Sequence, residues 1–252
     1  MDGNDGTGSH TDRGSLWRRG LLALSALLVL IPDRPPRAAE TQAAGKSALP
    51  APDSLARRIA DRYGAGEFHR VKSVRYTFNV LFKGKHISRE WTWFPREDSV
   101  LYSGEDPKGL RLKAAYSRRN AYSMGSESVA AIDKSFINDQ YWLLFPLHLR
   151  WDKDLKLRIA PGEKPGEAYR LTVTYPSSGG YTPGDAYDLF VDSAATLKRW
   201  IFRKGNAPQT TKEAFWSAPA AFDGLRISLE HPGPSGDFKL WFTDVKVSAD
   251  PS

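Results

Sequence analysis

The chain has 252 residues, 40% of them hydrophobic and 12% aromatic, and a formal net charge of +7. Eight Trp, ten Tyr and twelve Phe exclude a disordered chain, and the length suits one β-rich domain. The absence of cysteine excludes disulfides, thiolate metal sites, a thiol nucleophile and Cys-linked lipid, so the fold rests on its core alone.

Taken in chain order, Arg13, Arg18 and Arg19 precede the apolar run "GLLALSALLVLI" at 20–31, followed by Pro32, Pro35, Pro36 and an Ala-rich stretch. This charged, apolar, small-residue order predicts a secretory signal over 1–43, cleaved after about Ala43 at "TQA". The apolar run is 12 residues long, whereas a spanning helix needs about 20. An uncleaved N-terminal membrane anchor is the alternative. Residues 1–43 hold five basic and five acidic groups, so their removal leaves the charge at +7. Such an exported protein, periplasmic or secreted, meets anionic membrane surfaces or polysaccharide more readily than nucleic acid.

Residues 44–51 read as a linker before a single domain over 52–252. "PDSLARRIADRYG" at 52–64 predicts a helix. Leu55, Ile59 and Tyr63 recur on one face, and Gly64 supplies a stop. From Val71 the period falls to two. Val74, Tyr76, Phe78, Val80 and Phe82 alternate with Arg75, Thr77 and Asn79, and after "KGK" Ile87, Arg89, Trp91 and Trp93 share a face. Further strands are expected at 99–104, 110–117, 155–160, 168–176, 186–192, 196–205, 225–231 and 237–247, separated by Gly/Pro/Asp turns such as "PGEKPGE" and "HPGPSGD". The aromatic segment "SFINDQYWLLFPLHLRWD" at 135–152 predicts a helix over 135–145 that is apolar nearly all round and therefore buried. Asn138, Asp139 and Gln140 then fall in or near its first turn, and Pro146 sends the following residues on as extended chain. The expected fold is mainly β (α+β): a strongly curved antiparallel half-barrel of about ten strands, covered by the N-terminal helix and the aromatic helix. Such a sheet makes a natural apolar cavity.

Catalytic signals are sparse. "GSESV" at 125–129 lacks the second glycine of a G-x-S-x-G elbow. His10, His69, His86, His148 and His231 are scattered without metal-ligand spacing. His69, His86 and His231 sit next to turns and read as solvated, and His148 as a packing histidine. Asp185, Asp188 and Asp192 in "GYTPGDAYDLFVD" could gather round a hard cation, but turn and edge chemistry explains them better. Glu90, Glu97 and Asp98 could form an acid–base pair or be solvent-facing strand charges. "LKRWIFRK" separates its aromatics from Arg199 and Arg203, as in a core strand with a basic outer face, which argues against nucleic acid.

The order of signal, helix, long hairpin, "FINDQYWLLFPLHL", "YTPGDAYDLFVD", "LKRWIFRKG" and closing "WFTDVKV" resembles the LolA-like superfamily of bacterial exported proteins, the outer-membrane lipoprotein carriers and their relatives. The resemblance covers most of 52–247. It implies a half-barrel with an apolar concave side and a helical lid that holds acyl chains or other apolar ligands without chemistry, and without a cofactor or metal. Candidate cavity or lid residues are Trp91, Trp93, Phe136, Tyr141, Trp142, Phe145 and Trp200. The leading expectation is a monomeric carrier of a lipid or acyl chain. The alternatives are an envelope interaction module with a filled core, or an enzyme on an envelope lipid or polymer that uses Asp139, Asp185 or Asp188.

Overall fold

A computed structural model describes residues 48–251 except 106–108, 122–126 and 179–180. These residues all belong to one unit, Ser47–Ser252. The expected signal at 1–43 lies outside the described residues.

The first helix, α1 (Pro52–Arg62), forms as its sequence implies. Pro opens it, Asp53 lies in its first turn and Arg62 in its last, and Leu55, Ala56, Ile59 and Ala60 are buried. Gly64 follows at φ +92, and a Cβ there would lie 2.3 Å from the Gly224 carbonyl oxygen. Gly64→Ala is therefore expected to cost more than about 1 kcal/mol in urea unfolding.

The strands follow in chain order. The N-terminal group is β1 (Val71–Phe82), β2 (Lys85–Phe94), β3 (Ser99–Glu105) and β4 (Arg111–Ser117), followed by helix α2 (Glu127–Trp151). Then come β5 (Lys156–Pro161), β6 (Tyr169–Thr174), β7 (Ala186–Val191), β8 (Leu197–Arg203) and β9 (Lys212–Phe215). The chain closes with β10 (Ala220–Phe222), β11 (Leu225–Ile227), β12 (Glu230–Pro232) and β13 (Phe238–Ala249). One sheet has the order β12-β13-β1-β2-β3-β4, a second β5-β6-β7-β8-β9, and β10 and β11 form a separate hairpin. Every described pairing is antiparallel. The two large sheets meet at a seam. The Trp216 amide donates to the Lys198 carbonyl beside β9, and the Ser217 amide donates to the Glu230 carbonyl of β12. The result is an open, curved β structure covered by two helices, as the alternation implied.

The inner faces carry the apolar half of each alternation. Val74, Tyr76, Trp91, Val100, Leu240 and Phe242 line the first sheet and are buried. Leu171, Val173, Leu189 and Trp200 do the same on the second. Helix α2 packs between these faces, and its 136–149 stretch is almost entirely buried.

Four expectations change. Helix α2 begins at Glu127 and runs through Pro146 to Trp151, with the bend at Leu144 (φ −125, ψ 19). Proline removes one helical donor and crowds the preceding turn, but burial of Leu147, His148 and Leu149 holds the last turn helical. Asp139 is therefore mid-helix, and its charge is met by side chains rather than by a helix terminus. His231 is not solvated: it is fully buried within ring contact of Trp142, Trp216 and Phe242. Arg199 is only 2% exposed rather than part of an open basic face. Its guanidinium lies 3.4 Å from the Phe190 ring centroid and bonds Glu163, Glu167 and Glu213. Finally, β9 and β10 had no counterpart in the sequence reading, and 225–231 divides into β11 and β12. Segments this short give alternation too few residues to register.

Candidate functional site

Two side-chain clusters clamp α2 to the first sheet. Arg89 of β2 grips Asp139 through Nε and Nη2 at 2.7 and 2.6 Å, and the Trp91 indole donates to the same carboxylate at 2.9 Å. Arg89 also covers the Phe78 ring at 4.7 Å. Burial pushes the Asp139 carboxyl above its ordinary value, and the donors from Arg89, Asn138 and Trp91 offset part of that. Burial alone would lower Arg89, but Asp139 raises it overall. Nearly two turns earlier along α2, Asp133 accepts from Arg118 at 3.0 Å and from the Tyr116 hydroxyl at 3.2 Å.

The other end of α2 has its own polar knot. His148 bridges Gln140 at 2.9 Å and Asp152 at 3.1 Å, while the Tyr141 and Tyr175 hydroxyls both donate to Asp152. Burial would raise Asp152, but these bonds outweigh it and hold the carboxyl below the usual range. Burial, reinforced by the Asp152 charge, raises both tyrosines well above their ordinary values, so they stay protonated donors. His148 is thus the satisfied packing histidine that its setting implied.

Between α2 and the second sheet the packing is incomplete. A cavity of about 660 Å³ opens there, walled by Tyr141, Trp142, Tyr187, Trp200 and Phe202. Its polar lining includes Lys134, Asn138, Asp185 and Lys212. A smaller cavity of about 420 Å³ is lined by Trp93, Phe136, Gln140, His148 and Trp151. Tyr141 and Tyr181 line both. Their rings lie 5.5 Å apart, and the Tyr181 hydroxyl donates to the Lys134 carbonyl at 3.0 Å. Both volumes fall in the range of about 300–1,000 Å³ typical of ligand sites.

Of the residues singled out from sequence, Tyr141, Trp142 and Trp200 line the larger cavity, and Trp93, Phe136 and Tyr141 the smaller. Trp91 and Phe145 line neither. Trp91 packs on Tyr102 and Phe136, and Phe145 on Tyr187 and Trp200. Sequence reasoning missed Tyr187, Phe202, Tyr181 and Lys212. The first two lay in alternating strands already recognised, whereas Lys212 lay on an unforeseen one.

Most of the carboxylates considered for catalysis or metal binding have structural partners. Asp188 bonds Arg203 at 2.9 Å and Thr172 at 2.6 Å. Asp185 accepts the Gly205 amide, and Asp192 accepts the Ala194 and Thr196 amides in a turn. Asp98 faces Arg118 and Arg119, and Glu90 is exposed. Among the described residues no group of acidic or histidine side chains is placed to hold a metal ion.

The class of protein that this fold defines is an open, curved antiparallel β structure with helices packed on its inner face and a cavity beneath one of them. No family model and no curated relative matches the chain. Solved structures do. A LolA superfamily protein from Nitrosomonas europaea matches with a TM-score of 0.49 at 10% identity, covering 81% of this chain and 96% of that one. A DUF1329 family protein from Desulfovibrio piger matches with a TM-score of 0.40 at 15% identity, covering 81% and 96%. A domain described as an outer membrane lipoprotein-sorting protein, from Vibrio parahaemolyticus, matches with a TM-score of 0.43 at 12% identity, covering 79% and 93%. Two of the three carry the family words that the sequence resemblance supplied. Identities this low, at these TM-scores, leave the functional reading to the chain's own geometry.

Proposed function

We propose that the protein is a non-enzymatic, exported carrier that holds an apolar ligand, such as a lipid or acyl chain, between α2 and the second sheet. The observation that carries this reading is the aromatic-walled cavity of about 660 Å³ between α2 and the second sheet, with the smaller cavity beside it. Burial of each CH₂ contributes about 0.8 kcal/mol, so an acyl chain needs no special polar residue to bind usefully. The predicted signal at 1–43 supports export to the periplasm or beyond, and the charge of +7 supports transient contact with anionic membrane. No helix among the described residues is long and apolar enough to cross a membrane. Within this reading the protein acts as a monomer, with Tyr141, Trp142 and Trp200 as wall residues and Trp93 and Phe136 bordering the smaller cavity.

Native mass spectrometry of protein purified from its host tests the proposal. A co-purifying lipid mass, or a mass shift on adding fatty acid or lipopeptide, is the expected result. A bare mass that neither addition changes leaves the aromatics as core and the carrier reading without support.

A further inference from the structure

The larger cavity carries one residue that a purely apolar ligand does not explain. Lys212 faces Phe202 across the β8–β9 ladder, next to the Trp200–Ala214 pair. Opposed residues of an antiparallel ladder point to the same side, so Lys212 lies on the concave face with Phe202 and Trp200. Its Nζ sits 4.1 Å from the Phe238 ring centroid and 5.5 Å from that of Phe82, which is 48% exposed. Lys212 forms no ion pair with any described carboxylate, and burial holds its ammonium below the ordinary lysine value. Lys134 also lines the cavity, from α2. The one lining carboxylate, Asp185, accepts the Gly205 amide at 2.8 Å. An ammonium set among aromatic rings on the cavity wall, without a described counter-ion, asks for an anionic group.

Building on the carrier reading, we infer that the ligand is an anionic amphiphile, its apolar chain between Trp142 and Trp200 and its acidic head on Lys212. The head chemistry is a carboxylate or phosphate oxygen, as in a free fatty acid or a phospholipid. Neutral chains of equal length fill the same wall but leave Lys212 without a counter-ion. A hydrogen bond to a charged group contributes about 1.5–3 kcal/mol, so the head is worth roughly tenfold or more in affinity.

The test uses the mature protein and titrates it by tryptophan fluorescence with palmitate, hexadecanol, lysophosphatidylglycerol and monopalmitoylglycerol, below the micelle concentration of each. The expected result is that each anionic probe binds at least tenfold tighter than its neutral counterpart. Lys212→Met keeps the apolar stem against Phe82 and Phe238, and it is expected to abolish that ratio while hexadecanol binds as before. Lys212→Arg is expected to retain it. Palmitate binding tighter than lysophosphatidylglycerol assigns a carboxylate head and the reverse a phosphate head, and both support the inference. Equal binding of charged and neutral probes, or a ratio that survives Lys212→Met, overturns the inference and leaves the carrier reading standing. Failure of all four probes to bind overturns both.

Discussion

Asp139→Ala is expected to destabilise the protein by about 3–5 kcal/mol, because it leaves a buried guanidinium without its counter-charge. Asp139 has no solvent exposure, Arg89 is largely enclosed, and the two are joined by a two-pronged contact that Trp91 completes. Removing the carboxylate also strands the Trp91 donor. For a chain of this size the loss corresponds to a fall in Tm of roughly 10 °C. Arg89→Met combined with Asp139→Leu should recover most of it, since an apolar pair of similar volume avoids the desolvation that both charges suffer. Urea unfolding of the two single variants and the double variant measures the coupling directly. Single variants that each cost less than about 1 kcal/mol would show the pair to be no more than a surface-like contact. The pair also bears on function. It pins α2 to the first sheet, while the larger cavity lies between α2 and the second. A ligand that parts the helix from its surroundings is thus expected to do so on the β7–β8 side.

Much of this frame was legible in the sequence because it rests on local periodicity. Leu55, Ile59 and Tyr63 announced α1, and the alternation through Tyr76, Phe78, Trp91 and Trp93 announced the β1–β2 hairpin with its buried side. What escaped depends on contacts distant in sequence. Pro146 is a probable boundary by local rules, yet tertiary burial carried the helix past it. Asp139 looked like a helix-start acid because its partners, Arg89 and Trp91, lie about fifty residues away. Arg199 read as solvated because Glu163, Glu167 and Glu213 come from other elements. Lys212 sits on a four-residue strand, too short for any pattern, so the cation on the concave face was invisible before the ladder was known.

His231 makes the second large expectation, a loss of stability in mild acid. The ring is fully buried among Trp142, Trp216 and Phe242. Burial drives its pKa down to about 3, although the Ser228 and Phe215 carbonyls oppose the shift. In the unfolded chain the imidazole titrates near ~6.5. The folded value is thus the depressed one. Its stabilisation is complete above the unfolded pKa and is lost as pH falls through the window from about 6.5 to about 3, because only the unfolded chain takes up the proton there. At one proton the slope is about 1.4 kcal/mol per pH unit, which gives roughly 2 kcal/mol between pH 6.5 and 5. The hydrogen-bonded carboxylates Asp152, Glu167 and Asp192 sit below their ordinary values and lose their contributions at lower pH still. Asp139, which burial holds above its ordinary value, also contributes to the slope on the acid side, with the opposite sign, so the difference between wild type and His231→Phe is what isolates His231. His231→Phe should flatten the pH dependence of urea unfolding in that interval, while His69→Gln, at an exposed ring, should leave it steep. Parallel slopes for wild type and His231→Phe would mean that His231 takes up its proton in the folded protein as readily as in the unfolded one. A flattened slope would fix the cage as a neutral, desolvated site. Trp142, which lines the larger cavity, would then share its packing with an acid-sensitive residue of the core.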